Sequence, residues 1–412
     1  MYLWAALWLL GNTCCTSIPS DSHAQIPAQS KESPRERIDK VSHVTEMNES
    51  SWNVLRSKVE SPTDFETIYF QDAAQGWIGG EGAMYKTSDG GHTWERGAID
   101  IPAYTTVADI VFNGSLGWVV LQKRAPDLSS FQENQVQLMQ TRDGGQHWQP
   151  QYVSKRLFVT RIRFFSEQEG WLTGLKYVGT GPFDTALFVL YTSNQGKDWV
   201  DVSEDLNRIA VNEKGFVIGW IEDIIAESPL TATVLTSRGH LFRTDNGGQN
   251  WRQLDDKLDQ FLYMSACCLG FKSDKLPWIA GGQSGTEGTM SLLALQQSHD
   301  AWQKYYLDGV HLRDVLYLSE KEIFACGSSF PKGSLKSLVP MEGVILVSTD
   351  GGQNWSIIYR DTKIKSINAL SAINHERILA VGDDGLVIRI EPALRNQNSS
   401  QKGFVHKVKP SA

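Results

Sequence analysis

Thr87-Ser-Asp89-Gly90-Gly91-His-Thr-Trp94 decides how this chain folds, because the chain writes it again and again. Near-copies stand at Thr141-Arg-Asp143-Gly144-Gly145-Gln-His-Trp148 and Ser348-Thr-Asp350-Gly351-Gly352-Gln-Asn-Trp355. In Thr244-Asp245-Asn246-Gly247-Gly248-Gln-Asn-Trp251 an Asn replaces the central Asp. Thr192-Ser-Asn194-Gln-Gly196-Lys-Asp-Trp199 also loses the first Gly, and Ser298-His-Asp300-Ala-Trp302 keeps little beyond its Trp. From Trp94 to Trp355 the successive Trp residues lie 54, 51, 52, 51 and 53 positions apart. A constant period of about fifty residues is the mark of a repeat architecture.

The octet has a local physical reading. Asp-Gly-Gly is turn chemistry: the Asp side chain accepts backbone N–H bonds and Gly tolerates positive φ. The residues before it alternate as a strand does, as in Ala83-Met-Tyr-Lys-Thr87 and Val344-Ile-Leu-Val-Ser348. Each copy is therefore expected to be a hairpin tip, with the Trp folded back over it as an apolar anchor. The octet resembles the Asp-box, or BNR repeat, of sialidases and other β-propellers. In that family the box is a structural turn, so Asp89, Trp94, Asp143, Trp148, Trp199, Asn246, Trp251, Asp350 and Trp355 are read as structural and carry no catalysis.

Folding the chain onto its period gives the rest of the unit. An apolar strand comes first, as in Thr67-Ile-Tyr-Phe70 or Asp314-Val-Leu-Tyr317. A second strand often begins Gly-Trp, as at Gly76-Trp77, Gly117-Trp118 and Gly170-Trp171. A third leads into the box and a fourth starts at its Trp. Four short strands with Gly and aromatics at fixed offsets are a propeller blade. Third strands fall near residues 87, 141, 192, 244, 296, 348 and 388, so the expected fold is all-β, a single seven-bladed propeller with four antiparallel strands per blade. The last third strand, Leu386-Val-Ile-Arg-Ile390, has no fourth strand after it. Ser51-Trp52-Asn-Val-Leu-Arg-Ser57 reads like one, and pairing it there would close the ring and remove two open edges.

This places the propeller at 51–392, preceded by a leader (1–15) and a disordered tether (16–50) and followed by a flexible tail (393–412). The apolar run at residues 3–10 is shorter than the about 20 residues a membrane span needs, and fits a signal-peptide core. Cys14 and Cys15 follow it, so a lipoprotein-type anchor at one of them is an expectation, with a discarded leader as the alternative. Location outside the cytoplasm follows: the periplasm or cell envelope, or the thylakoid lumen in a photosynthetic source. The tether is rich in Ser, Pro, Gln, Glu and Lys, which cannot bury enough apolar surface to offset the entropy of ordering. A formal charge of −8 and a pI near 5.6 argue against nucleic acid as partner. Cys267, Cys268 and Cys326 are too few for a disulfide framework and read as buried free thiols, with a bond from Cys267 or Cys268 to Cys326 as the alternative. No His or Cys spacing suggests a metal, and no cofactor is expected.

Boxes and first-to-second turns belong on one face of the ring. The other face carries the blade connections and the second-to-third loops, where length varies and binding usually resides. The long segments 122–135, 175–185, 203–218 and 327–342 all belong there. They bring Lys123, Arg124, Phe131, Lys176, Tyr177, Phe183, Phe330, Lys332 and Lys336, aromatics among cations that suit a protein partner. Innermost strands start at the same mouth, so Arg161, Arg163, Glu222, Asp223, Arg313, Asp314, Lys363 and Lys365 ring the channel or pair between blades. An enzyme reading is disfavoured. Sialidases use six blades and an Arg-Ile-Pro motif that is absent here, and Glu222-Asp223, as strand neighbours, point to opposite faces.

The units Gly76-Trp77, Gly117-Trp118 and Gly170-Trp171, each followed by a box, make residues 52–391 resemble the photosystem II stability and assembly factor family of exported seven-bladed propellers. The resemblance implies a non-enzymatic scaffold that presents loops to a subunit of a membrane complex, touching the membrane itself only through a lipid anchor. That family is also known for an arginine-rich patch, whereas the Arg residues here are dispersed along the chain. The second reading is a sialidase-like or other carbohydrate-binding or carbohydrate-cleaving surface propeller, with a glycan as ligand.

Overall fold

The computed structural model describes residues 42–46, 52–60, 63–123, 133–179, 181, 184–211, 217–254, 265–285, 288–298, 301–330, 341–374 and 376–393. Two strands precede the first blade, β1 (His43–Glu46) and β2 (Trp52–Lys58). Blade 1 is β3 (Phe65–Phe70), β4 (Gly76–Gly80), β5 (Ala83–Thr87) and β6 (Glu95–Arg96). Blade 2 is β7 (Thr105–Asn113), β8 (Leu116–Lys123), β9 (Gln135–Thr141) and β10 (Gln149–Lys155). Blade 3 is β11 (Leu157–Phe164), β12 (Gly170–Tyr177), β13 (Thr185–Thr192) and β14 (Val200–Asp201). A one-and-a-half-turn helix, α1 (Glu204–Ile209), leads to blade 4: β15 (Ile221–Ala226), β16 (Ala232–Thr236), β17 (Leu241–Thr244) and β18 (Arg252–Gln253). Blade 5 is β19 (Ser265–Phe271), β20 (Pro277–Gly285), β21 (Gly288–Ser298) and β22 (Ala301–Asp308). Blade 6 is β23 (Val310–Tyr317), β24 (Ile323–Ser329), β25 (Glu342–Ser348) and β26 (Asn354–Asp361). Blade 7 is β27 (Ile367–Asn374), β28 (Arg377–Gly382) and β29 (Leu386–Pro392), completed by β2.

The closure is direct. β2 runs antiparallel to β29, from Trp52 opposite Pro392 to Lys58 opposite Leu386. The innermost strands β3, β7, β11, β15, β19, β23 and β27 each pack on the next, and β27 packs on β3. This is the seven-bladed propeller the period demands.

The second-strand aromatics hold neighbouring blades together. Trp77 of β4 stacks on Phe112 of β7 at 3.8 Å between ring centroids, and Trp118 of β8 on Phe164 of β11 at 3.5 Å. The box Trp meets the same Phe edge-on: Trp148 with Phe112 and Trp199 with Phe164. Each trio buries large rings between two sheets, which is why the chain repeats its Trp on the period. Trp52 takes the corresponding place against Phe324 of β24 at 5.1 Å.

The tether expected over 16–50 is not free throughout. β1 lies parallel to β26 as a fifth strand of blade 6, His43 opposite Asn354 through Glu46 opposite Ile357. The Ser42 hydroxyl donates to the Gly352 carbonyl at 2.8 Å, and Glu46 pairs with Arg360 at 2.7 Å. Its apolar content is essentially Val44, so composition alone hid it. The expected leader and almost all of the tail lie outside the described residues.

Candidate functional site

The box turns close on themselves. Asp89 Oδ1 accepts the His92 and Thr93 N–H groups at 2.9 Å each, while the Thr87 hydroxyl accepts from Gly91 N–H and donates to Asp89. Hydrogen bonds from Thr93 hold the Asp89 carboxyl well below the usual carboxylate range, and those from His147 do the same for Asp143. Asn246 and Asp350 accept from Asn250 and Asn354 N–H in the same way. Where the third box lacks its first Gly, Gln195 adopts φ +67°. Its backbone N–H, carbonyl and side chain are each engaged, by Gln168, by Trp118 with Gln140, and by Arg142, which holds the left-handed residue in place. These turns offer a ligand little unsatisfied polarity.

The other end of each blade is different. In all seven first-to-second strand pairs the register shifts by one residue, between Phe65/Thr67, Val107/Asp109, Val159/Arg161, Ile221/Asp223, Ala266/Cys268, Leu312/Asp314 and Ile367/Ala369. A β-bulge leaves one residue unpaired and re-aims its side chain. The extra residues inserted at the seven bulges are Glu66, Ala108, Thr160, Glu222, Cys267, Arg313 and Asn368, and together they line the mouth of the central channel, a funnel of about 810 Å³ counting space open to solvent.

In blades 2, 4 and 6 the residue after the bulge is an Asp that points the other way, into the blade interface. Asp109 Oδ2 accepts the Ile162 N–H of blade 3 at 2.9 Å, Asp223 that of Leu269 in blade 5 at 3.1 Å, and Asp314 that of Leu370 in blade 7 at 2.8 Å. Blades 2, 4 and 6 thus each staple the next innermost strand with a carboxylate. Blade 3 joins blade 4 through the Thr160 hydroxyl on the Ile221 carbonyl (2.7 Å), and blade 7 joins blade 1 through the Asn368 amide on the Phe65 carbonyl (3.0 Å).

Around this frame the charges interlock. Arg163 bridges Asp109 at 2.7 Å and Asp223 at 3.4 Å, and Arg161 reaches Asp223 at 3.3 Å. Burial opposes the charge on Arg161, but the carboxylates of Asp223, Asp109, Glu222 and Asp314 more than offset it, and its pKa is raised. Burial pushes Glu222 up to about 7 against the pull of Arg161, a hydrogen bond from the Trp220 indole at 2.5 Å, and Arg313. Burial likewise pushes Asp314 up to about 6. Of the residues expected at the mouth, Glu222 and Arg313 are bulge residues in the funnel lining, Arg161 lines the funnel while pairing with Asp223, and Arg163, Asp223 and Asp314 bond between blades; Lys363 and Lys365 do not line it.

The expected partner residues therefore separate. Arg161 and Arg313, dispersed in sequence, line one funnel, and Arg163 lies beside Arg161. Lys123 ends β8 on the loop face and is exposed, and Phe330 follows β24. Lys176 is tied to Asp201 at 2.6 Å. Tyr177 was expected as a surface aromatic and is instead buried as the last residue of β12, with burial raising its phenol pKa. Arg124, Phe131, Phe183, Lys332 and Lys336 lie outside the described residues. The segment 203–218 was expected as one of the long loop-face segments. It carries α1, whose Asp205 accepts the Trp251 N–H at 2.6 Å.

The family model described as photosynthesis system II assembly factor YCF48 matches residues 44–126 and 131–258, more than half of the chain. This chain belongs to the YCF48 family. It is 28% identical over 171 residues to the photosystem II assembly protein Ycf48 of Synechococcus sp. (strain JA-2-3B'a(2-13)), an alignment that covers 40% of this chain and 41% of that relative's length. It is 22% identical to the chloroplastic photosystem II stability/assembly factor HCF136 of Arabidopsis thaliana, over 76% and 71% of the two chains. It is 23% identical to the photosystem II assembly lipoprotein Ycf48 of Picosynechococcus sp. (strain ATCC 27264 / PCC 7002 / PR-6), over 72% and 87%. Among solved structures, YCF48 bound to a D1 peptide shares the fold with a TM-score of 0.57 and 18% identity, over 84% of this chain and 98% of that one. The YCF48 family match contains the mouth residues Glu66, Ala108, Thr160 and Glu222; Cys267, Arg313 and Asn368 lie beyond it.

Proposed function

We propose that this YCF48-family propeller is a non-enzymatic assembly scaffold that takes an extended, acid-bearing segment of a membrane-complex subunit into the loop-face mouth of its channel. The observation that carries the reading is the convergence of Arg161 and Arg313 on one funnel, with Arg163 behind them and bulge residues of different chemistry around the ring. The guanidinium groups of Arg161 and Arg163 are held in place by Asp223 and Asp109, so a partner carboxylate meets a preformed site. The relatives named above are assembly factors for photosystem II, and one was solved with a D1 peptide, which supports a photosystem II subunit as the client. Lys123 and Phe330 at the rim would contact the rest of the partner.

The same reading places the protein outside the cytoplasm, delivered by the leader 1–15 and held at the membrane by lipid on Cys14 or Cys15. Relatives named as lipoproteins and as chloroplastic support this. Protonation of Glu222 removes a negative charge from the mouth, so an acidic segment binds more tightly as pH falls toward 6.

The test is a pull-down from detergent-solubilised membranes of the source cell with the intact chain as bait, bound proteins being identified by mass. A stoichiometric membrane-complex subunit is expected. Arg161→Glu with Arg313→Glu should weaken it at least tenfold, which is about 1.4 kcal/mol. Capture that survives the mouth variant but is lost in a folded box variant would move the site to the box face, and an empty capture would favour the glycan reading.

A further inference from the structure

Cys267 and Cys268 are sequence neighbours on β19, and in a regular strand their side chains would leave opposite faces. The bulge between Ala266 and Cys268 breaks that alternation and leaves the two sulfurs 2.6 Å apart. Cys267 lines the channel mouth, within reach of solvent, while Cys268 is 4% exposed behind it. The Cys268 thiol faces the Arg313 carbonyl at 3.7 Å and Asp314 Oδ1 at 3.8 Å. Cys326 belongs to a different apolar cluster, between blades 6 and 7, whereas Cys268 belongs to that of blades 5 and 6. All three sulfurs are unbonded.

We propose that Cys267 and Cys268 form an oxidisable vicinal dithiol, a modification site at the floor of the mouth that a small-molecule disulfide closes and a thiol reductant reopens. The Cys267 thiolate attacks one sulfur of the disulfide RSSR, forming a Cys267–SR bond and releasing RS⁻. Cys268 gives up its proton, with the Asp314 carboxylate at 3.8 Å as the base, and attacks the Cys267 sulfur. The Cys267–Cys268 bond forms and the second RS⁻ leaves. The protein loses two electrons and two protons, and RSSR becomes two RSH. Burial, then Cys267 and the nearby carboxylates, push the Cys268 thiol well up, which suits it to the resolving step and leaves Cys267 as the attacking group. Neighbouring Cα atoms across a trans peptide are about 3.8 Å apart, below the roughly 4.4–6.8 Å of relaxed disulfides, so the closed ring is strained and readily reduced.

The intact chain is incubated in mixtures of 2-hydroxyethyl disulfide and 2-mercaptoethanol, quenched with acid, denatured, alkylated and digested. Under oxidising mixtures the peptide holding residues 265–271 should carry no alkyl group and be lighter by two hydrogens, while Cys326 is alkylated. Under reducing mixtures Cys267, Cys268 and Cys326 should each be alkylated. In Cys268→Ser the 2-mercaptoethanol adduct should persist on Cys267, and Cys326→Ser should behave as the parent chain. Alkylation of both neighbours at every ratio, a stable adduct on Cys267 of the parent chain, or a bond to Cys326 would each overturn the proposal. The parent-chain masses decide the matter even where a variant does not fold.

Discussion

The box turns and the bulge ring sit at opposite ends of the same seven sheets, and they differ in where their hydrogen bonds go. Asp89 is satisfied by Thr87, His92 and Thr93, all within four positions. Asp109, Asp223 and Asp314 reach N–H groups 53, 46 and 56 positions away, each in the next blade. A turn that satisfies itself is copied from blade to blade with little change. A position whose partners come from a neighbouring blade, or from the channel, carries Glu, Ala, Thr, Cys, Arg or Asn on one backbone geometry. Repetition here marks structure, and variation at a repeated backbone position gives the mouth side chains that differ from blade to blade, which is why the proposed recognition is placed there.

That contrast can be broken or sharpened experimentally. The largest effect should come from deleting residues 52–58, which reopens blade 7 and exposes the cluster that Trp52 and Val54 cover. Loss of several kcal/mol is expected, on the scale of removing a large core aromatic. An unchanged urea midpoint would show that the ring does not depend on this closure.

Asp109→Ala leaves the Ile162 N–H without its acceptor and Arg163 with one partner fewer, and should cost about 2–3 kcal/mol in chemical denaturation. A cost near zero would mean that the interblade staples do not hold the ring.

The two ends should also titrate in opposite senses. Glu222 and Asp314 are raised in the folded protein, so the fold binds more protons than the unfolded chain between their ordinary and folded values. Stability from this source is present in mild acid and is lost as pH rises, for Glu222 up to about 7. The Glu222 share of the loss is at most about 3 kcal/mol, and Glu222→Gln should remove that share. The box carboxylates are lowered, so their contribution holds through neutral pH and is lost only in strong acid. A melting temperature that rises from pH 5 to pH 8 would contradict the burial of Glu222.

The smallest effect is expected at a single box. Asp350→Ala removes the acceptor for the Asn354 backbone and side-chain N–H groups, and should cost about 1 kcal/mol, as a lost cap does, with partner capture intact. Loss of capture in this folded variant would reverse the assignment of faces.

What could be read without coordinates follows the same division. Blade number, the box turns and the closing role of Trp52 were legible because local turn chemistry and large aromatics recur on a period. β1 was not, since four residues with one apolar side chain carry no pattern and their pairing partner lies some 311 positions away. Tyr177 was misplaced because β12 runs further than the Gly-Trp signal suggests, carrying it inside the sheet. The bulge ring left only a faint trace, a near-constant offset before the second-strand aromatics Trp77, Trp118, Trp171, Trp278 and Phe324. Nothing in the sequence marks that offset as a bulge, because a register shift is decided by two strands together.

By itself, the sequence determined a closed ring of seven four-stranded sheets, since a period of about fifty residues with self-satisfied turns has few other ways to bury its apolar faces. Only the tertiary structure decided that Arg161 and Arg313, from blades 3 and 6, share a funnel with Glu222 and Cys267, and that Cys267 touches Cys268. The physical reason is that every blade contributes to the lining of the channel, so its chemistry is assembled across the ring and is written nowhere as a contiguous motif.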